Sequence, residues 1–166
     1  MGHNICAIIG KRPINEETLK KYQLALAYEG DFAIIILNQD SVWYWADKLN
    51  LRIESESENI DWACGLIFHF AKEHGYKKYA DIQTDYFGGI GSQCASLYDD
   101  GIIITPDKSI DDILNLLGVQ RIGSKDEFDV INLGKYRNSE NYYWSSDNWA
   151  DRKSNMIAGR IPIDNS

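Results

Sequence analysis

The run from Phe32 to Leu37 constrains the fold most, because all six of its residues are apolar and three of them are consecutive isoleucines. A continuous apolar run of this length, rich in β-branched residues, predicts a strand that is buried on both faces. A chain of 166 residues, 44% hydrophobic and 25% charged, is long enough to form one globular domain with a real core around such a strand. The fold must therefore contain a sheet with a buried strand.

Turn residues place further strands beside this one. Residues 38–40 predict a turn, after which Val42 to Trp45 returns as the second strand of a hairpin with Phe32 to Leu37. Asp99-Asp100-Gly101 separates Gln93–Tyr98 from Ile102–Thr105, and Asp-Gly between two such runs is a strong hairpin signal. Two more short apolar runs are typical of strands: Ile5–Ile9 and Tyr79–Thr84.

Capping residues and apolar periodicity predict three helices. Asn15 begins the first, which continues through Leu26 and ends at Gly30. The second covers about residues 61–74, is apolar around most of its circumference, and is expected to be the central helix of the core. The third begins after Ser109, which forms a cap with Asp112, and it ends at Gly118.

Strands in hairpins with a few helices between them predict a single α+β domain. We expect a mixed or antiparallel sheet with about three helices packed on it. The globular domain is expected to cover residues 1–155, and residues 156–166 are expected to form a weakly ordered tail.

The second strong feature is the glycine cluster Gly88, Gly89 and Gly91, which lies between an aromatic pair and a strand-like run. A phosphate-binding P-loop needs a lysine that is missing here, and a dinucleotide-binding motif needs a helix where a strand is expected. The cluster therefore predicts a structural bend between two strands. That bend would hold Asp85, Tyr86 and Phe87 in place, either for a partner or only as part of the sheet.

The charge of the chain narrows the class of partner. Twenty-five acidic against seventeen basic residues give a net charge of −8, which argues against direct binding to nucleic acid. An acidic surface suits a basic protein partner, although the same charge also simply keeps a protein soluble. No apolar run reaches membrane-spanning length and no signal peptide is recognisable, so we expect no membrane contact and a cytoplasmic location.

The sequence contains no pattern that predicts catalysis, a cofactor or a metal site. The three cysteines are far apart and lack metal-binding spacing, so they are expected to be buried, reduced thiols. His69 and His74 are five residues apart and do not share a helix face as two metal ligands would. We expect His69 to be a packed, hydrogen-bonded core residue.

Two other groups of residues are candidates for binding a protein. Asp126, Glu127 and Asp129 crowd like charges around Phe128 without an evident local structural role, so they are either solvated or compensated by a basic partner. Tyr and Trp side chains are favoured binding anchors, and several aromatic residues lie in predicted turns or polar segments. These aromatic candidates are Tyr86, Phe87, Tyr142, Tyr143 and Trp144.

Several short segments, taken in order, resemble small bacterial proteins, some of which are encoded beside toxin genes and act as immunity proteins, including those of contact-dependent growth inhibition systems. The segments are Met1–His3, Asp85–Ala95, Leu117–Val119, Asp126–Asp129 and Leu133-Gly134. They cover a minority of the chain and include no catalytic signature, so no functional residues are carried over.

The resemblance implies a non-catalytic protein that neutralises a cognate toxin by tight association. Many such toxins are nucleases with basic clefts, which an acidic inhibitor can fill by matched charge and anchored aromatic residues. The alternative hypothesis is a small enzyme or small-molecule-binding protein built around the bend at 88–91, with Asp85, Tyr86, Gln93 and Cys94 near a pocket. A third possibility is an oligomeric scaffold that associates through its aromatic tail.

Overall fold

The computed structural model describes residues 3–22, 24–37, 42, 45–46, 48–51, 64–87 and 90–136. These residues include six strands, four helices and a 3-10 turn. The strands are β1 (His3–Lys11), β2 (Ala25–Glu29), β3 (Phe32–Ile36), β4 (Lys78–Phe87), β5 (Ile90–Asp99) and β6 (Ile102–Lys108). The helices are α1 (Glu16–Tyr22), α2 (Cys64–Glu73), α3 (Ile110–Leu117) and α4 (Glu127–Val130), and the 3-10 turn is Leu133–Tyr136.

The six strands form one sheet in the order β2-β3-β1-β4-β5-β6, and every neighbouring pair is antiparallel. This arrangement confirms the predicted α+β domain and decides between a mixed and an antiparallel sheet. β3 contains most of the apolar run and lies between β2 and β1, and all five of its residues are buried. The prediction of a strand buried on both faces is therefore confirmed.

Both faces of the sheet are covered, because alternate residues of the central strands enter two separate apolar clusters. On one face Ile34 and Ile82 pack with the buried residues of α3, which include Ile113 and Leu114. On the other face Ile35 packs in a cluster that contains residues of α1 and α2, such as Tyr22 and Phe70. The period of two along a strand thus divides the apolar residues between two helical layers.

The predicted first helix is wrong beyond residue 22. α1 ends at Tyr22, and Ala25–Glu29 is a strand that pairs with β3, with Ala25 opposite Ile36. The sequence of this segment fits a helical period, but it also alternates, since Leu26 enters one cluster and Ala25 and Ala27 enter the other. Pairing with a fully buried strand outweighs local helix propensity here, as tertiary context often does.

The predicted hairpin partner of the apolar run is also wrong. Val42 and Trp45 are helical, and the strand that forms a hairpin with β3 is β2, through Gly30 and Asp31. Because β2 and β1 occupy the two edges of β3, no position remains for a third neighbour. The predicted tail at 156–166 lies outside the described residues.

Two predictions based on local signals are confirmed in detail. β5 and β6 are joined by Asp100 and Gly101, which have φ values of 51° and 78°, as the two-residue turn of such a hairpin requires. α3 begins after Ser109, whose side chain accepts a hydrogen bond of 3.2 Å from the backbone N–H of Asp112. It ends at Gly118, which has a φ of 115° and is left-handed.

Glu29 connects the end of the described chain to the edge strand β2. Its carboxylate accepts hydrogen bonds from the side chains of Tyr136 at 2.5 Å, Asn132 at 2.8 Å and Lys135 at 3.2 Å. Burial by itself raises the pKa of Glu29, but the three donors outweigh that effect and the pKa is lowered. The charged form of this carboxylate therefore stabilises the contact between β2 and the 3-10 turn.

Glu29→Gln is expected to lower the free energy of unfolding by about 1–3 kcal/mol. The amide keeps the size of the side chain but removes the negative charge that strengthens the hydrogen bonds from its three donors. Equilibrium unfolding in urea measures the change. Asp31→Asn removes an exposed carboxylate two residues away and is expected to change stability by no more than about 0.5 kcal/mol. Equal effects of the two substitutions would contradict the role given to Glu29.

Candidate partner-binding surface

The beginnings of α3 and α4 lie together, and both carry acidic residues. Asp111 accepts a hydrogen bond of 2.9 Å from the backbone N–H of Phe128, which joins the first turns of the two helices. Asp126 is the N-cap of α4, and its side chain accepts from the backbone N–H of Asp129 at 2.9 Å. We call the four aspartates at this position, which are Asp111, Asp112, Asp126 and Asp129, the acidic corner.

The acidic corner contains both structural and exposed carboxylates. Asp111 and Asp126 are half-buried and hold the helix ends, whereas Asp112 and Asp129 are exposed. Burial raises the pKa of Asp111, and the nearby charges of Asp126 and Glu127 raise it further, against the hydrogen bond from Phe128 and the charge of Arg121. The corner is therefore a region of concentrated negative charge, part of which faces solvent.

Glu127 has a structural role that the sequence did not predict. It is buried, with 3% of its surface exposed, and it accepts hydrogen bonds from Arg121 Nε at 2.9 and 3.1 Å and from Asn115 at 3.2 Å. Burial raises the pKa of Glu127, but a hydrogen bond from its own backbone N–H, the side-chain hydrogen bonds from Arg121 and Asn115, and the charge of Arg121 leave the pKa lowered. The expectation that this acidic run has no local structural role is wrong for Asp126 and Glu127, and Glu127 offers almost no surface to a partner.

The residues before the glycine cluster form the end of β4. Asp85 is exposed, and its position in the strand alternates with that of Ile82, which faces α3, so Asp85 lies on the opposite face of the sheet from the acidic corner. Tyr86 and Phe87 are the last residues of β4, opposite Gly91 and Ile90. Gly91 belongs to β5, while Gly88 and Gly89 lie outside the described residues, as do Tyr142, Tyr143 and Trp144.

The residues of the small-molecule hypothesis are divided between the two faces. Cys94 pairs in register with Gln83, which pairs with Cys6, so these three polar positions form one row on the face that also carries Asp85. Asp81 belongs to the same face and accepts hydrogen bonds from Gln83 at 3.3 Å. Gln93 alternates to the other face, opposite Thr84, so it does not share a site with Cys94.

Cys6, Cys94 and His69 differ from expectation in their burial. Cys6 and Cys94 are half-buried rather than fully buried, and neither forms a disulfide bond. His69 has a side chain that is 30% exposed, and its Nε2 lies 2.7 Å from the hydroxyl of Tyr22, so the hydrogen bond is confirmed but the core position is wrong. The core histidine is His74, which is completely buried.

Neither a metal site nor a membrane-spanning helix occurs in the part of the chain that the structure describes. There, no group of three or more histidine, cysteine, aspartate or glutamate side chains is arranged to hold a metal ion. No helix among those residues is long and apolar enough to cross a membrane.

Comparison with protein-family models, with curated proteins and with solved structures finds no match to this chain.

Proposed function

We propose that this protein is an immunity protein that binds a cognate toxin domain and neutralises it without catalysis. The observation that carries the proposal is the acidic corner, where two helix ends bring four aspartates together and leave Asp112 and Asp129 exposed. The resemblance of short segments to toxin-immunity proteins supplies the class of partner. In this proposal the protein acts in the cytoplasm.

The charge of the corner defines the kind of toxin surface that it fits. A net charge of −8 speeds the approach of a basic partner, and an acidic corner then selects the basic region of that partner. A nuclease cleft is basic because it binds phosphates, so carboxylates on an inhibitor can occupy the place of the nucleic acid backbone. The toxin of this proposal is therefore a nuclease that is blocked at its substrate-binding surface.

The test is coexpression of this protein with the toxin domain encoded beside its gene. We expect the wild type to rescue growth and to purify as a complex at moderate salt. The double substitution of Asp112→Lys and Asp129→Lys is expected to weaken the complex by about tenfold or more, mainly through slower association, because it reverses two exposed charges of the corner.

Asp31→Lys is the control for each of the single substitutions Asp112→Lys and Asp129→Lys, since Asp31 is exposed in the turn between β2 and β3 and the charge reversal is the same. It should leave binding close to the wild-type value. The proposal fails if the wild type forms no complex and rescues no growth. The acidic corner is the wrong surface if Asp31→Lys and the double variant weaken binding equally.

A further inference from the structure

β6 is an edge strand of the described sheet and exposes three consecutive isoleucines. Ile102, Ile103 and Ile104 are 69%, 46% and 49% exposed, and we call them the isoleucine edge. Phe68 of α2 is also exposed, and it lies against the adjoining turn, since a Cβ added at Gly101 would meet its ring. An apolar edge strand of this kind is a template for pairing with another strand.

The features that usually protect an edge strand from pairing with another chain affect only the later part of β6. Charged side chains are absent from residues 102–105, whereas natural edges often carry lysine there. Pro106 and a register shift between Leu97 and Tyr98 interrupt the later part of β6, and the shift leaves Ile104 as an extra residue relative to β5. Regular pairing is therefore restricted to the first part of β6, next to the turn.

The turn between β5 and β6 fixes which backbone groups face the open edge. Asp99 lies opposite Ile102 and closes the two-residue turn, so the peptide groups of Ile102 point towards β5. Hydrogen-bonding directions alternate along an antiparallel strand, so the N–H and C=O of Ile103 point away from β5. Ile103 thus combines an exposed side chain with outward backbone donor and acceptor groups.

We propose that β6 pairs with β6 of a second copy of this chain about a two-fold axis at Ile103. In that register Ile103 lies opposite the partner's Ile103 and the two exchange a pair of backbone hydrogen bonds. Ile102 then lies nearest the partner's Ile104, where the irregular part of β6 begins, so the three isoleucines of one edge face those of the other. The two sheets join into one continuous antiparallel sheet.

The self-complementary sequence of the isoleucine edge favours a second copy over an unrelated strand. A two-fold axis at Ile103 brings the three isoleucines of one chain against the same three isoleucines of the other. The facing side chains then match in size, and none of them is charged. The contact is small beside the roughly 800 Å² per partner of a standard interface, and two chains of charge −8 repel, so the dimer is weak and is strengthened by salt.

The dimer contact and the acidic corner are separate surfaces. Ile102 begins β6 and Lys108 ends it before α3 starts, a separation of roughly 20 Å along the strand. Salt also acts on them in opposite directions, because it weakens binding to a basic toxin. Each proposal is therefore tested without deciding the other.

The first test is sedimentation equilibrium of the wild type over a concentration series at low and high salt. For the wild type we expect a reversible monomer–dimer equilibrium that shifts towards dimer as the salt concentration rises. For Ile103→Lys, which places a charge at the two-fold axis, we expect the association constant of the dimer to fall by about tenfold or more. Ile122→Lys is the control, since Ile122 is 66% exposed but lies outside the edge strands, and it should leave the equilibrium unchanged.

A second variant tests the register. Under mild oxidation Ile103→Cys is expected to form a disulfide-linked dimer, because directly opposed Cα atoms about 5.5 Å apart are within the range of a disulfide. Ile122→Cys and the wild type, with its own cysteines, set the background. A wild type that stays monomeric at all concentrations overturns the proposal. So does equal cross-linking of the two cysteine variants. A wild type that is monomeric and loses toxin binding on Ile103→Lys would show that the edge binds the toxin instead of a second copy.

Discussion

Gly10→Ala is expected to lower the free energy of unfolding by about 2–4 kcal/mol, because a methyl group overpacks the core and strains a buried hydrogen bond. A Cβ at this position would lie 2.4 Å from Cδ1 of Tyr76, closer than side-chain carbons approach one another. The Tyr76 ring has little freedom to move away, since it is buried and its hydroxyl donates a 2.8 Å hydrogen bond to the carbonyl of Ala33. Urea unfolding monitored by tryptophan fluorescence measures the loss.

Gly65→Ala is the matched control for this prediction. Gly65 lies in α2. Apart from its chain neighbours and the backbone of its own helix, no atom of the described residues lies within 4 Å of an added Cβ, so alanine is expected to stabilise the protein by about 0.5 kcal/mol through helix propensity. Combining Gly10→Ala with Tyr76→Leu should cost less than the sum of the two single effects, because the smaller side chain makes room for the methyl group. Wild-type stability of Gly10→Ala would show that Tyr76 does not confine this position.

Acid is expected to destabilise the fold through His74 by about 3 kcal/mol between pH 6.5 and pH 4. Nδ1 of His74 lies 2.7 Å from the carbonyl oxygen of Phe70, which only accepts, so Nδ1 carries the proton of the neutral ring. Nε2 has no hydrogen-bond partner among the described residues. Burial lowers the pKa of His74 to about 4, with a smaller lowering by His69, against the hydrogen bond to Phe70 and the charge of Glu73.

The direction of the effect follows from where the proton binds. Between pH 6.5, the ordinary pKa of histidine, and pH 4, the approximate pKa of His74 in the folded protein, the unfolded chain binds a proton at His74 and the native protein does not. Stability therefore falls as the pH falls through this range, and the loss is complete below about pH 4. Unfolding free energies of the wild type and of His74→Phe, measured over the pH range, isolate this contribution from that of the carboxylates.

His74→Phe is expected to have a shallower acid limb than the wild type, whatever its stability at neutral pH. His69→Gln is the control, and it should keep the steep limb because His74 is still present. Parallel pH profiles for the wild type and His74→Phe would show that the buried ring is not the source of the acid sensitivity.

Local signals predicted the elements whose geometry is decided within a few residues. The Asp-Gly turn between β5 and β6 needs two positive φ angles, and the limits of α3 depend on a side-chain cap at Ser109 and a left-handed Gly118. These preferences act through sterics and nearby hydrogen bonds, so they are readable in the sequence. The apolar run at β3 was equally informative, since a short, continuous apolar run rich in β-branched residues is typical of a fully buried strand.

The failed predictions concern residues whose environment is set by distant parts of the chain. Ala25–Glu29 is a strand because β3 needs a second neighbour. Glu127 can be buried because Arg121 and Asn115 donate hydrogen bonds to its carboxylate. These donors reach Glu127 only because α3 packs beside α4. A run of acidic residues does not reveal which member is paired, because pairing depends on geometry that the pattern does not contain.

Composition, caps and turn residues predict an acidic α+β domain with one strand buried on both faces, a capped helix after Ser109 and a hairpin turn at Asp100 and Gly101. Packing between distant segments determines that helices cover both faces of the sheet, that Asp112 and Asp129 rather than Glu127 are exposed, and that Ile102–Ile104 are exposed at an edge of the described sheet. Caps and turns satisfy hydrogen bonds within a few residues, whereas burial and exposure depend on which surfaces the whole chain brings together.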